Sequence, residues 1–140
     1  MKYLLDTCII SELSKKTPNN KVIRWIKDKH ETDLFMSVLT LGAIQKGITK
    51  LEDSKKKREL VEWIESDLPQ RFEKRILPVT DYVSRKWGEI QGLAEQQGNK
   101  MPVIDSLIAA TGLTYNLEVI TRNTEDMKAS GVQLFNPWVL

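Results

Sequence analysis

Short apolar runs rich in β-branched residues alternate along the chain with longer stretches in which apolar residues recur at helical spacing. This alternation is typical of crossover units around a parallel sheet. It predicts an α/β fold with a central, mostly parallel sheet of four to five strands flanked by helices. The predicted strands cover residues 2–5, 34–38, 76–79, 118–121 and 132–135, and Pro78 favours an edge position for the third.

The predicted helices each carry apolar residues on one face. Val22, Trp25 and Ile26, for example, lie on the same side of a helix over residues 21–29. Thr40 is predicted to be the N-cap of the helix after the second strand, and Pro102 suits the first turn of a later helix. The remaining predicted helices cover residues 9–13, 41–51, 54–68, 81–97 and 103–115.

The composition indicates an ordinary globular protein, with 41% hydrophobic and 29% charged residues in 140. A chain of this length is expected to form one domain, residues 1–140, which buries roughly two thirds of its unfolded surface. The apolar runs are too short to span a bilayer, and Asp6 interrupts the first of them before a signal-peptide core is complete. We therefore expect a cytoplasmic protein with no membrane partner.

The titratable residues exclude several kinds of chemistry. The net charge is only +2, which alone does not indicate a nucleic-acid partner. His30 is the only histidine, so catalysis by paired imidazoles is excluded. Cys8 is the only cysteine, which excludes an intrachain disulfide and a multi-cysteine zinc site. We interpret Cys8 as a small buried residue and not as a nucleophile.

Three acidic residues lie where elements of an open parallel sheet begin or end. Asp6 follows the first strand, Asp105 lies in the first turn of a helix, and Asp126 lies beside Asn123, shortly after the fourth strand. Each has an ordinary explanation: a turn residue, a favourable charge at a helix start, or a surface side chain. However, the carboxyl ends of parallel strands converge on one crevice, so these acids are also candidates for a common site.

A cluster of carboxylates without basic partners is most stable when it holds a divalent cation. Ligands that are all oxygen, without histidine or cysteine, favour Mg²⁺ or Mn²⁺ over zinc. The sequence thus predicts a magnesium or manganese site if the fold gathers the three acids.

Four segments, in order along nearly the whole chain, resemble the PIN-domain ribonucleases, in particular the VapC- and FitB-like toxins. The resemblance implies a PIN-like fold and an endoribonuclease that uses Mg²⁺ or Mn²⁺. It further implies that Asp6, Asp105 and Asp126 are catalytic metal ligands, with Thr7, Thr121 and Asn123 as polar support. The segments are residues 3–13 (YLLDTCIISEL), 37–48 (SVLTLGAIQKGI), 105–111 (DSLIAAT) and 119–126 (VITRNTED).

The chain departs from the family pattern at two positions. Cys8 stands where these proteins usually have asparagine, which is a mild change. Ala43 stands where they usually carry a catalytic glutamate, and a methyl group does not coordinate a hard cation. Ala43 is either a natural loss or a change introduced to silence a toxic nuclease; the intact surrounding motifs favour the second. We expect this form to be impaired.

The resemblance implies metal-assisted hydrolysis of RNA phosphodiester bonds, without a protein nucleophile. RNA must reach an acidic crevice, so nearby cations are expected to offset the repulsion. The resemblance also implies a homodimer and a VapB-like antitoxin that offers a basic side chain to the acids. The candidate RNA-binding residues, each of which also has an ordinary explanation as exposed charge, are Lys46, Lys50, Lys100 and Arg122.

Three other functions remain open at this point. The first is a catalytically silent module that binds RNA or an antitoxin. The second is a phosphoryl-transfer enzyme with Asp6 as nucleophile, although Cys8 occupies the place of the second acid such enzymes use. The third is a flap-type DNA nuclease, for which a chain of 140 residues leaves little room.

Overall fold

Five short parallel strands form the central sheet of the computed structural model, which describes residues 1–139. Their order is β3-β2-β1-β4-β5. The strand that Pro78 follows, β3, therefore lies at an edge, as predicted. All four pairings between neighbouring strands are parallel. The strands are β1 (Tyr3–Leu5), β2 (Leu34–Ser37), β3 (Ile76–Leu77), β4 (Glu118–Ile120) and β5 (Leu134–Phe135).

Helices connect the strands and cover both faces of the sheet, which confirms the α/β prediction. A π-helical turn, Trp63–Asp67, interrupts the helix predicted over residues 54–68. Short 3-10 turns lie at Glu31–Asp33, Lys128–Ser130 and Pro137–Val139. The helices are α1 (Thr7–Leu13), α2 (Asn20–Lys27), α3 (Val38–Thr49), α4 (Lys55–Glu62), α5 (Leu68–Arg71), α6 (Asp81–Gln96), α7 (Val103–Tyr115) and α8 (Thr124–Met127).

The predicted start of α3 is wrong. The N-cap is Ser37, whose hydroxyl accepts the Leu39 N–H at 3.0 Å, because β2 ends there and the helix begins at once. Thr40 is buried inside the helix, and its hydroxyl lies 3.2 Å from the hydroxyl of Thr7. Pro102 likewise lies one position before the first turn of α7, as its N-cap.

The core is divided between the two faces of the sheet. Leu5 and Ile120 pack on one face against α1, α2 and α3. Leu4 and Val119 pack on the other face against α6 and α7, as expected from the alternation of side chains along a strand. The carboxyl ends of β1 and β4 are thereby fixed side by side. Within residues 1–139, no helix combines the length and apolar character needed to cross a membrane.

Candidate active site at the carboxyl ends of the strands

Asp6 lies directly after β1 and is almost fully buried, with 3% of the residue exposed. It is the N-cap of α1, and its Oδ1 accepts the Thr7 N–H at 2.8 Å. Its Oδ2 accepts a hydrogen bond of 2.7 Å from the hydroxyl of Thr121, which follows β4. Burial raises the pKa of Asp6, and the hydrogen bonds from Thr121, Thr7 and Cys8 oppose that rise only in part.

A small polar network holds the turn after β4 against Asp6. The Thr121 hydroxyl accepts the Asn123 N–H at 2.9 Å. The Cys8 sulfur lies 3.6 Å from that hydroxyl and accepts the Arg122 N–H at 3.4 Å. Burial, with the nearby charge of Asp6, raises the pKa of the half-buried Cys8 thiol, so the thiol stays protonated and is a poor nucleophile.

Asp105 is half-buried in the first turn of α7. Burial, together with the negative charges of Asp6 and Asp126, raises its pKa to about 6. Asp126 itself is exposed on α8. The charges of Asp6 and Asp126 therefore both act on Asp105, which lies between the other two predicted acids in this electrostatic sense.

The chemistry of these acids fits a hard divalent cation. All their donor atoms are oxygen, and none of the ion pairs within residues 1–139 involves Asp6, Asp105 or Asp126. Over the same residues, however, no three acidic, cysteine or histidine side chains form a ready-made metal cluster. The arrangement is thus an acidic site without a basic partner, and it is short of a complete ligand set.

Position 43 lies beside this site. Ala43 is half-buried on α3 and lines a groove with Lys46 and with Ile104, the neighbour of Asp105. Thr40, one turn earlier on the same helix, contacts Thr7 next to Asp6. The residue at position 43 therefore borders the start of α7, and it lies one turn from Thr40, which contacts the start of α1.

Two side chains of α6 fix the start of α7, and neither role was evident from the sequence pattern. Gln91 is buried; its amide nitrogen donates to the Met101 carbonyl at 2.8 Å, and its amide oxygen accepts the Met101 N–H at 3.1 Å. Trp87 Nε1 donates to the Ser106 hydroxyl at 2.8 Å. The sequence signal that could have revealed the role of Gln91 is a polar residue one helical turn after Trp87, between Ile90 and Ala94 on the buried face of the helix.

We expect Gln91→Leu to lower the free energy of unfolding by about 2–4 kcal/mol, because it leaves the N–H and the carbonyl of Met101 buried and unpaired. Urea unfolding measures this change. Gln96→Leu, at an exposed position of the same helix, is the matched control and should stay within about 0.5 kcal/mol of the unchanged protein. Equal losses in the two variants would contradict a role for Gln91 in holding Met101.

The four basic residues predicted to bind RNA lie in different surroundings. Lys46 borders the groove beside Ala43, whereas Lys50 is exposed at the carboxyl end of α3, outside that groove. Lys100 lines a separate cleft together with Asp126. The Arg122 guanidinium lies 4.1 Å from the centre of the Trp138 ring. The structure therefore brings Lys46 and Lys100 next to site residues and leaves Lys50 apart.

Glu12 is a buried acid whose role was not evident from the sequence pattern. Its carboxylate accepts the Asn19 N–H at 2.8 Å and pairs with the Lys15 ammonium at 2.9 Å. Burial alone would raise the pKa of Glu12, but those two bonds, with the charges of Lys15 and Arg122, lower it. Glu12 is therefore ionised and paired, and it connects α1 to the N-cap of α2.

The raised pKa of Asp105 has a consequence for stability. Because about 6 is above the ordinary 3.8, the native state binds more protons than the unfolded state between these pH values, and stability falls as pH rises through them. We therefore expect Asp105→Asn to raise the Tm of the metal-free protein at neutral pH by about 2–4 °C.

Thermal unfolding of both proteins across this pH range measures the effect. The gain from Asp105→Asn should shrink as the pH falls from above 6 towards 3.8 and should vanish at still lower pH, where Asp105 is protonated in both states. Asp53→Asn, at an exposed position, is the control. A gain that is independent of pH, or that grows on acidification, would contradict the electrostatic origin of the effect.

Both the sequence and the fold of this chain match known proteins. The PIN domain family pattern matches residues 3–130. Toxin FitB of Neisseria gonorrhoeae is 35% identical over 135 residues, covering 96% of this chain and 97% of FitB. VapC ribonuclease Y4jK of Sinorhizobium fredii is 29% identical, covering 96% of each chain. The crystal structure of FitAcB from Neisseria gonorrhoeae has a TM-score of 0.92 at 35% identity and covers 99% of both chains. These matches confirm the resemblance carried by the four sequence segments, and the chain belongs to the PIN-domain family, among its FitB- and VapC-like toxins.

Proposed function

We propose that this protein is a metal-dependent endoribonuclease toxin whose activity is impaired by Ala43. The observation that carries the proposal is the electrostatic coupling of Asp6, Asp105 and Asp126, three acids without a cationic partner at the carboxyl edge of a PIN-type sheet. Similarity to a protein named as a VapC ribonuclease supports RNA as the substrate.

Asp6, Asp105 and Asp126 are the residues that would hold Mg²⁺ or Mn²⁺. When bound, the cation would lower the pKa of water and neutralise charge that develops on the phosphate. Thr121 and the Thr7 N–H orient the two oxygens of Asp6. Asn123 donates its N–H to Thr121 and so holds the segment that leads to Asp126.

Ala43 leaves this acidic site one ligand short. A glutamate here would add a carboxylate to the groove that α3 shares with the start of α7. Its absence weakens the hold on a cation and leaves the remaining acids in mutual repulsion. The protein with Ala43 should therefore bind the metal ion weakly and cleave RNA slowly.

The cations beside the site would contact the RNA backbone. Lys46 and Lys100 are exposed next to position 43 and Asp126 respectively, and such side chains bind phosphates without reading sequence. Arg122, which follows Thr121 at the end of β4, is a further candidate for a phosphate contact, whereas Lys50 lies apart from the site and is left out of this proposal.

We infer an antitoxin partner and a homodimer from membership among the FitB- and VapC-like toxins. An acidic site without a cation is suited to an arginine or lysine from an antitoxin. Exposed apolar side chains, including Val103 and Ile104 at the start of α7 and Tyr82 and Leu93 on α6, offer area for such contacts.

One observation favours a second candidate, a catalytically silent module that binds RNA or an antitoxin. Among residues 1–139 the side chains form no complete metal cluster. Incubating the protein with total RNA in Mg²⁺, Mn²⁺ or chelator separates the two candidates when the Ala43→Glu form is included. New RNA ends that need the metal support the nuclease; RNA binding without cleavage by either form supports the silent module.

A further inference from the structure

The loop between α6 and α7 and the segment around α8 enclose an open cleft of about 490 Å³. Lys100 lies on the first wall, and Glu125 and Lys128 lie on the second. Asp126 also lines the cleft, so the cleft is continuous with the acidic site. Its volume lies within the range of about 300–1,000 Å³ that ligand sites occupy.

The first wall is held in place by buried hydrogen bonds. Gly98, with φ of +70°, ends α6 in a left-handed turn, and the Asn99 N–H donates to the Ala94 carbonyl at 2.7 Å. Gln91 then fixes Met101 through both of its backbone groups. Lys100 therefore projects from a loop whose backbone is fixed on both sides.

The second wall is equally anchored. The Met127 side chain is fully buried, and its carbonyl accepts the Ser130 hydroxyl at 2.6 Å. The Asp126 N–H donates to the Asn123 carbonyl at 3.2 Å, which ties the wall to the turn after β4. Since both walls are fixed in the protein alone, a ligand would pay little ordering cost on binding.

The charges of the cleft are arranged for a ligand that has both an anionic and a hydrogen-bond-donating part. Lys100 and Lys128 are exposed, and neither is in an ion pair within the part of the chain that the structure describes. Glu125 offers a carboxylate, which repels phosphate but accepts hydrogen bonds from the amino group of a base. A nucleotide has both an anionic phosphate and a base that can donate hydrogen bonds. Because Asp126 lines the cleft, a nucleotide bound there would lie next to the proposed site of phosphodiester cleavage.

We propose that this cleft binds the nucleotide that flanks the scissile phosphate of RNA. Lys100 and Lys128 bind its backbone phosphates, and Glu125 accepts a hydrogen bond from the amino group of its base. The inference rests on the proposed nuclease function and adds Lys128 and Glu125 to the residues that select the substrate. Bases with an amino group are favoured over uracil.

The first test measures binding of short, labelled, single-stranded RNA by fluorescence anisotropy, with chelator present so that no cleavage occurs. Lys100→Ala combined with Lys128→Ala should weaken binding at least about tenfold and reduce the salt slope by about 1.4, the value for two phosphate contacts on a single strand. Lys2→Ala with Lys27→Ala removes the same charge next to the amino ends of the strands and should leave affinity within about twofold.

The second test compares oligocytidine with oligouridine. Glu125→Gln should shift the affinity ratio toward uridine by about fivefold or more, because glutamine can donate to the uracil carbonyl. Two results would overturn the cleft proposal alone. The first is equal RNA affinity in the two lysine double variants, and the second is a ratio of cytidine to uridine affinity that Glu125→Gln does not change. No RNA binding by the unchanged protein would overturn both proposals. Binding without cleavage by Ala43→Glu would overturn the nuclease and leave the cleft as an RNA-binding site with no scissile phosphate beside it.

Discussion

Ala43→Glu is expected to increase metal-dependent RNA cleavage by about 100-fold or more, because loss of a direct ligand costs more than the roughly 10–100-fold lost with a supporting group. The side chain at position 43 borders the groove shared with Ile104, beside Asp105, and lies one turn from the Thr40–Thr7 contact next to Asp6. A carboxylate there completes a set of oxygen donors suited to Mg²⁺ or Mn²⁺. Rates of cleavage of a labelled RNA, with each metal and with chelator, measure the gain.

Ala43→Gln is the matched control for this substitution. Glutamine has the size of glutamate without its charge, so it should give less than a tenth of the gain, since a neutral amide binds a hard cation more weakly than a carboxylate. Equal activity in all forms would indicate that position 43 is not a ligand position. Activity that survives chelation would place the chemistry elsewhere.

Asp6→Asn in the Ala43→Glu protein is expected to reduce cleavage by on the order of 1,000-fold, because it removes the most deeply buried charge of the site. The fold should survive: an asparagine oxygen can still accept the Thr7 N–H, and its amide can donate to the Thr121 hydroxyl. We therefore expect the free energy of unfolding of the metal-free protein to change by less than about 1 kcal/mol.

Cleavage rates, Mn²⁺ affinity by titration calorimetry and urea unfolding together test this expectation. Activity and Mn²⁺ affinity should fall together while stability is kept. Asp28→Asn, at the exposed carboxyl end of α2, removes the same charge away from the site and should leave all three measurements unchanged. Loss of cleavage with intact Mn²⁺ affinity would mean that Asp6 acts otherwise than as a ligand.

The features that the sequence predicted best depend on local pattern. Strand positions followed from short apolar runs, and Asp6 and Asp105 were identifiable because each stands where an element begins or ends. The topological rule for open parallel sheets then predicted that they converge. The hydrogen bond between Thr121 and Asp6 follows from that rule, because β1 and β4 are direct neighbours and the residues after them meet, whereas a common metal site with Asp105 stays a prediction.

The errors and omissions depend on contacts between distant residues. Thr40 looked like a cap, yet β2 ends so abruptly that Ser37 takes that role and Thr40 faces Thr7. The pairing of Gln91 with the Met101 backbone spans a loop whose shape is not visible in the composition. The helix α8 has only four residues, too few for a helical period to be recognised.

Asp6, Asp105 and Asp126 are expected to act on one divalent cation. The most direct test is an anomalous difference map from crystals of the Ala43→Glu protein soaked in Mn²⁺, with chelated crystals for comparison. We expect a peak, absent after chelation, in contact with the carboxylates of Asp6 and Asp105 and on the side of Asp126. Manganese found only at other surface acids, with these three carboxylates empty at saturating Mn²⁺, would contradict it.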